Sequence, residues 1–108
     1  MEPEIQRMID KFRRRMAKDP EARAKVEPIV KTVNIDLGTE TYSMKVEHAD
    51  ICEFKPELVS EPDITITTTP EDMQALIEGT LRPMKAYVTK RVRIQGKIED
   101  IMHLRSLL

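Results

Sequence analysis

Residues 62–96 read "PDITITTTPEDMQALIEGTLRPMKAYVTKRVRIQG", and the assignment of this stretch decides the fold. It opens with a two-residue period, Ile64 and Ile66 against Thr65 and Thr67, as in a half-buried strand. Thr69-Pro70-Glu71-Asp72 then breaks the alternation with a helix start. Thr69 can accept a backbone N–H as N-cap, Pro70 fits the first turn, and Glu71 and Asp72 favour the positive end of the helix dipole. Met73, Leu76 and Ile77 fall on one side of this helix, which stops at Gly79. Pro83 starts a second short helix with Met84, Tyr87 and Val88 at i, i+3 and i+4. Val92 and Ile94 next alternate with Arg91, Arg93 and Gln95 as a strand that Gly96 ends.

Working outward, Ile98, Ile101, Leu104 and Leu108 lie within one arc of a terminal helix, with Met102 beside them. At the other end Ile5, Met8, Ile9, Phe12 and Met16 form the stripe of an amphipathic helix, which Asp19-Pro20 closes because proline disfavours helical geometry in the residue before it. The polar run from Pro20 to Lys25 reads as one further helical turn. Val33, Ile35 and Leu37 then alternate with polar neighbours, and so do Tyr42, Met44 and Val46 after Gly38-Thr39. That pattern is a β-hairpin, with Gly38 free to take positive φ at the connection. A third strand from Ala49 to Phe54 is interrupted by Asp50 and Glu53, and "PELVSEP" is a loop bracketed by Pro56 and Pro62. Strands cluster first and helices follow, so the expected class is α+β: a five-stranded, mainly antiparallel sheet covered on one face by helices. Length predicts a single domain over residues 1–108, without repeats or linkers.

Composition removes several function classes. A third of the residues are charged, yet the net charge is −1, so no broad field nominates a partner. One cysteine, Cys52, excludes an intramolecular disulfide, and its expected role is small buried filler. No run approaches the roughly 20 apolar residues of a membrane-spanning helix, and the first residues mix acids and bases where a signal peptide needs an apolar run. The chain is therefore expected to be soluble and cytoplasmic. Aromatics are 4% of residues while methionine occurs seven times, which implies an aliphatic core with adaptable filling.

With these elements in place, residues 62–108 resemble the C-terminal half of the sterol carrier protein 2-like domain family. The shared features are an Asp-led alternating strand, a helix ending in Gly, the phrase "RPMKAYVTKRVRIQG" and a Leu-rich terminal helix. "VNIDLG" and "YSMKVEH" correspond in order to the family's first hairpin. The resemblance implies a sheet and helices enclosing an apolar tunnel for sterols, fatty acids, acyl-CoA esters or phospholipids, hence a non-catalytic lipid-binding or transfer domain. The chain departs from the family at Thr89-Lys90-Arg91, where many members have Gly before the fifth strand. It ends "RSLL" where some relatives carry a Ser-Lys-Leu peroxisomal address, so a peroxisomal carrier is not expected.

Met73, Leu76, Ile77, Met84, Tyr87, Val88, Ile98, Ile101 and Met102 are the candidate cavity wall that the resemblance implies; periodicity alone favours reading them as core filling. Lys85, Lys90, Arg91, Arg93 and Lys97 would meet an anionic head group at a pocket mouth, or form a solvated face balanced by Glu99 and Asp100. Lys11 to Arg15 occupy the exposed arc of the first helix, and with no interleaved aromatics no nucleic-acid partner is expected. His48 and His103 lack ligand spacing for a metal. No glycine-rich phosphate loop and no Ser or Cys nucleophile beside a base is present, so neither a cofactor nor an enzyme is expected. The expected partners are a lipid or fatty-acyl ligand, a transient membrane surface and a second copy of the chain. The competing reading is an accessory module with a filled core that binds a partner enzyme or dimerises through Tyr87, Leu107 and Leu108. Asp50, Glu53 and His48 remain as candidates for a small site assembled from elsewhere in the chain.

Overall fold

In the computed structural model, which describes residues 1–97, the apolar stripe of the first helix becomes the roof of the main core. Helix α1 (Glu2–Lys18) buries Ile5, Ile9, Phe12 and Met16, while the bases between them face solvent. Asp19 both follows α1 and caps α2 (Pro20–Val26), its carboxylate accepting from the Ala22 N–H at 3.1 Å. The polar run after Pro20 is thus a two-turn helix whose Ala22 and Val26 join the core.

Five strands make one sheet: β1 (Lys31–Asp36), β2 (Thr41–Glu47), β3 (Asp50–Lys55), β4 (Ile64–Thr67) and β5 (Arg93–Gly96), in the order β3-β2-β1-β4-β5. Three pairings are antiparallel; β1 and β4 run parallel, with Val33 opposite Ile64 and Ile35 opposite Ile66. Pleating sends Val33, Ile35, Met44, Val46 and Ile64 to the face under α1. Asn34 and Ser43, paired across β1 and β2, point to the other face, where the connection from β3 to β4 crosses. There the Asn34 side chain donates to the Val59 carbonyl at 2.9 Å and accepts from the Val59 N–H at 3.0 Å, pinning the loop to the sheet.

The β2–β3 connection is a two-residue turn through His48 and Ala49, both at positive φ (56° and 55°), the signature of a type I′ hairpin. Further along β3 the register shifts between Ser43 and Lys45, and Glu53 sits there at φ 54°. This extra residue is a β-bulge. It resets the alternation so that Phe54 returns to the core side and stacks on Tyr42 at 5.6 Å between ring centroids.

The capping sequence behaves as its chemistry demands. Helix α3 (Pro70–Glu78) begins with the Asp72 N–H bonded to Thr69 Oγ1 at 3.1 Å and ends with Gly79 at φ 82°. Helix α4 (Pro83–Val88) follows, then β5. Gly96 is the last residue of β5, as the sequence reading has it, and stands opposite Ile64. At φ 155° a Cβ there would stand 2.8 Å from the Asp63 carbonyl oxygen, a backbone atom that cannot step aside. Gly96→Ala is expected to cost about 1–3 kcal/mol in chemical denaturation. A change within about 0.5 kcal/mol would place that backbone elsewhere.

Candidate functional site

The α3–α4–β5 layer forms a second, smaller cluster beside the main core. Leu81, Ala86 and Val92 are buried in it, with Ile66, Ala75, Leu76 and Ile94 packed around them. Ala86 is fully buried because its small side chain lets α4 approach the sheet, and its carbonyl accepts from the N–H groups of Arg91 and Val92 at 2.8 and 3.2 Å. Thr68 Oγ1 donates to the Arg91 carbonyl at 2.9 Å, and the Arg91 guanidinium reaches the Asp72 carboxylate at 2.6 Å. These bonds tie the turn after α4 to the start of α3.

The nine candidate residues divide into four groups. Met73 is buried in the main core and Ile77 packs against it; Leu76 packs on the smaller cluster. Met84, Tyr87 and Val88 are exposed, at 51%, 44% and 71%. Ile98, Ile101 and Met102 lie outside the described residues. The apolar i, i+3, i+4 pattern of α4 is therefore its outer face, and the inward anchor is an alanine that a hydrophobicity pattern does not single out. Leu81 and Val92, which flank α4, were likewise absent from the sequence-derived set; the two-residue period marked Val92 as a strand position only.

At the far end of α1 an open depression of about 250 Å³ is lined by Arg13, Met16, Ala17, Arg23, His48, Ala49 and Asp50. Arg13 Nε donates to Asp50 Oδ1 and Arg13 Nη2 to the Ile51 carbonyl, both at 2.8 Å, so the guanidinium is already satisfied by its own chain. His48 and Asp50 meet here, whereas Glu53 belongs to the bulge. Among the described residues no group of three His, Cys, Asp or Glu side chains is arranged to hold a metal ion. Cys52 is half-buried rather than core filler; its Sγ donates to the Lys45 carbonyl at 3.6 Å, and burial pushes the thiol above its ordinary value, away from the reactive thiolate.

The hydrogen bond from Arg13 holds the Asp50 carboxyl below the usual carboxylate range. A depressed folded-state value means stability that is present above the unfolded value and is lost as pH falls through the folded one. Both partners are about half exposed, at 47% and 51%, so the contribution is limited to about 0.5 kcal/mol. Asp50→Asn should therefore be slightly less stable than the parent at neutral pH and indistinguishable from it in strong acid. Urea titrations at several pH values check this, and a difference that persists or grows in acid would refute the pairing.

Among the described residues no helix is long and apolar enough to cross a membrane. A segment of mouse stomatin-like protein 1 is 34% identical over 47 residues, which is 44% of this chain and 12% of that protein. Sterol carrier protein 2 like 2 from Aedes aegypti superimposes with a TM-score of 0.67 at 20% identity, covering 99% of this chain and 98% of that one. A palmitated form of the same mosquito protein gives 0.58 at 18% identity over 92% and 87% of the two chains. The sec-alkylsulfatase Pisa1 from Pseudomonas contains the same fold, with a TM-score of 0.65 at 15% identity over 80% of this chain and 14% of the enzyme. The chain thus spans only about an eighth of the length of the stomatin-like protein and about a seventh of the sulfatase. Residues 9–108 match the SCP-2 sterol transfer family, and the chain belongs to that family.

Proposed function

We propose that the protein is a small lipid-binding and transfer domain that takes a fatty-acyl, sterol or phospholipid ligand on the α3–α4 side of its sheet. Family membership across residues 9–108 is the observation that carries this reading. The palmitated state of the mosquito relative favours an acyl chain. Met84, Tyr87 and Val88 add support as apolar side chains left unburied on α4, the helix that follows α3. The proposed contacts are Met73, Leu76, Ile77, Met84, Tyr87 and Val88, completed by Ile98, Ile101 and Met102. Transfer of an acyl chain from water to such a site contributes about 0.8 kcal/mol per CH₂. The role is that of a carrier: hydrophobic burial, without a catalytic group, suffices for capture, and displacement of the short helices for release.

Native mass spectrometry of the purified protein, followed by organic extraction, tests the reading. The expected result is a copurified lipid mass that Met84→Trp or Ile101→Trp displaces. A delipidated sample that takes up no fatty acid, acyl-CoA or sterol at micromolar concentrations would sink it. One observation favours a second reading: the chain matches small parts of two much longer proteins, as an accessory module would. In that case the site is filled, and Tyr87, Leu107 and Leu108 serve a protein contact. Loss of a homodimer in Leu107→Asp would support that alternative.

A further inference from the structure

The segment between α3 and β5 is fastened to the rest of the molecule at its two ends and by one small apolar cluster. Among the described residues, every hydrogen bond of residues 82–90 stays within residues 82–92, and none of these residues forms an ion pair. The apolar hold is the cluster in which Leu81, Ala86 and Val92 are buried over Ile66, Leu76 and Ile94. At the first end Gly79 turns the chain at φ 82°, and the Thr80 and Leu81 N–H groups bond to the Ala75 carbonyl at 3.0 and 3.1 Å. At the second end Lys90 turns it again at φ 62°, and the crossing bonds all belong to Arg91. The Arg91 carbonyl accepts from Thr68 Oγ1 at 2.9 Å, while its Nε and Nη2 donate to Asp72 Oδ1 at 3.1 and 2.6 Å. Asp72 lies in the first turn of α3 with its side chain 15% exposed, so this pair is better shielded from water than Arg13 with Asp50.

A unit with few buried side chains and one polar tether opens far more readily than the large core around α1. We propose that residues 80–92 are a flap that swings out between Gly79 and β5, and that the Arg91–Asp72 pair is its latch. Lifting the flap uncovers Ile66, Leu76 and Ile94, an apolar bed between α3 and β5. The step from flap to gate rests on the ligand reading above: a chain bound on this side of the sheet enters and leaves only while the latch is undone. Breaking the latch then speeds entry and exit together, because the bound and free forms are closed by the same pair.

Amide hydrogen exchange of the full chain, freed of lipid, reads the flap, and stopped-flow mixing with a pyrene-labelled fatty acid reads the gate. Asp72→Asn and Arg91→Gln are each expected to speed exchange at the Ala86, Arg91 and Val92 amides about fivefold. The two together should do no more than either alone, because the same bond is lost in all three proteins. Amides of β1 should keep their parental rates. Glu71→Gln removes a charge from the same helix turn without touching the latch, and should leave the Ala86, Arg91 and Val92 amides as they are. With the fatty acid, both latch variants should raise the association and dissociation rates by one common factor and leave the dissociation constant unaltered, which a damaged pocket would not do. The flap is overturned if the three amides respond no more than those of β1, or if Glu71→Gln matches Asp72→Asn. The gate alone is overturned if exchange behaves as expected while the fatty-acid rates stay parental, or if the dissociation constant rises instead. A parent chain that takes up no fatty acid at equilibrium overturns the ligand reading and the gate with it, and exchange still decides the flap.

Discussion

Ile9→Ala is expected to destabilise the protein by about 2–5 kcal/mol, the range for removing a large aliphatic side chain from a packed core. Ile9 is 1% exposed, in the middle of the α1 stripe, flanked by Ile5 one turn before and Phe12 one turn after. Its side chain has no route to collapse: the helix spans the sheet, so a shift that closed the void at Ile9 would open others at Ile5 and Met16. Alanine is a better helix former than isoleucine by a few tenths of a kcal/mol, too little to offset the void. Against a total stability of roughly 5–15 kcal/mol for a domain of this kind, the loss is a large fraction. A drop of about 10 °C or more in the unfolding midpoint is expected, with an unchanged urea dependence. A loss below about 1 kcal/mol would mean that α1 is not seated on the sheet at Ile9.

Asn34→Ala should cost about 2–3 kcal/mol, for a different reason. The side chain is buried and serves as a bridge, with its amide matching both polar groups of Val59. Alanine leaves that donor and acceptor unanswered and releases the loop between Pro56 and Pro62. Amide exchange at Val59 should accelerate beyond what the global loss explains, and limited proteolysis should cut the loop first. Asn34→Asp is the sharper variant. A carboxylate can still accept from the Val59 N–H, but its other oxygen faces the Val59 carbonyl, so the charged form is opposed. That variant should gain stability as pH falls and the acid is protonated, the reverse of the Asp50 dependence. Ser43, across the strand pair, provides the contrast: its buried hydroxyl has no partner among the described residues, and Ser43→Ala should be neutral or stabilising by up to about 1 kcal/mol.

Much of the fold can be read from local chemistry because the strong signals are themselves local. Thr69-Pro70-Glu71-Asp72 specifies a helix start through bonds within four residues, and the alternation in 33–46 specifies a hairpin through pleating alone. Three features escape that logic. The parallel pairing of β1 with β4 depends on where the loop after β3 crosses, which Asn34 and Val59 decide across 25 residues. The His48-Ala49 turn holds neither glycine nor asparagine, so positive φ at both positions has no compositional mark; the strands around it impose the geometry. Helix α4 spans six residues, too few for periodicity to separate the inner face from the outer, and the one methyl group of Ala86 anchors it where larger residues were expected to. Of the candidate residues, the helices that carry them, α3 and α4, were legible in the sequence, whereas the exposure of Met84, Tyr87 and Val88 was not.

The bulge at Glu53 has a further consequence for how the molecule behaves in company. β3 is an outer strand, and an outer strand invites a neighbour to extend the sheet. Here the invitation is withdrawn. The irregular step at Glu53 would demand an equally irregular partner, and the outward N–H and carbonyl of Ile51 are already taken by Asp50 and Arg13. A newly folded copy thus finds no continuous row of free peptide groups along β3, which protects crowded chains from joining into fibres on that side.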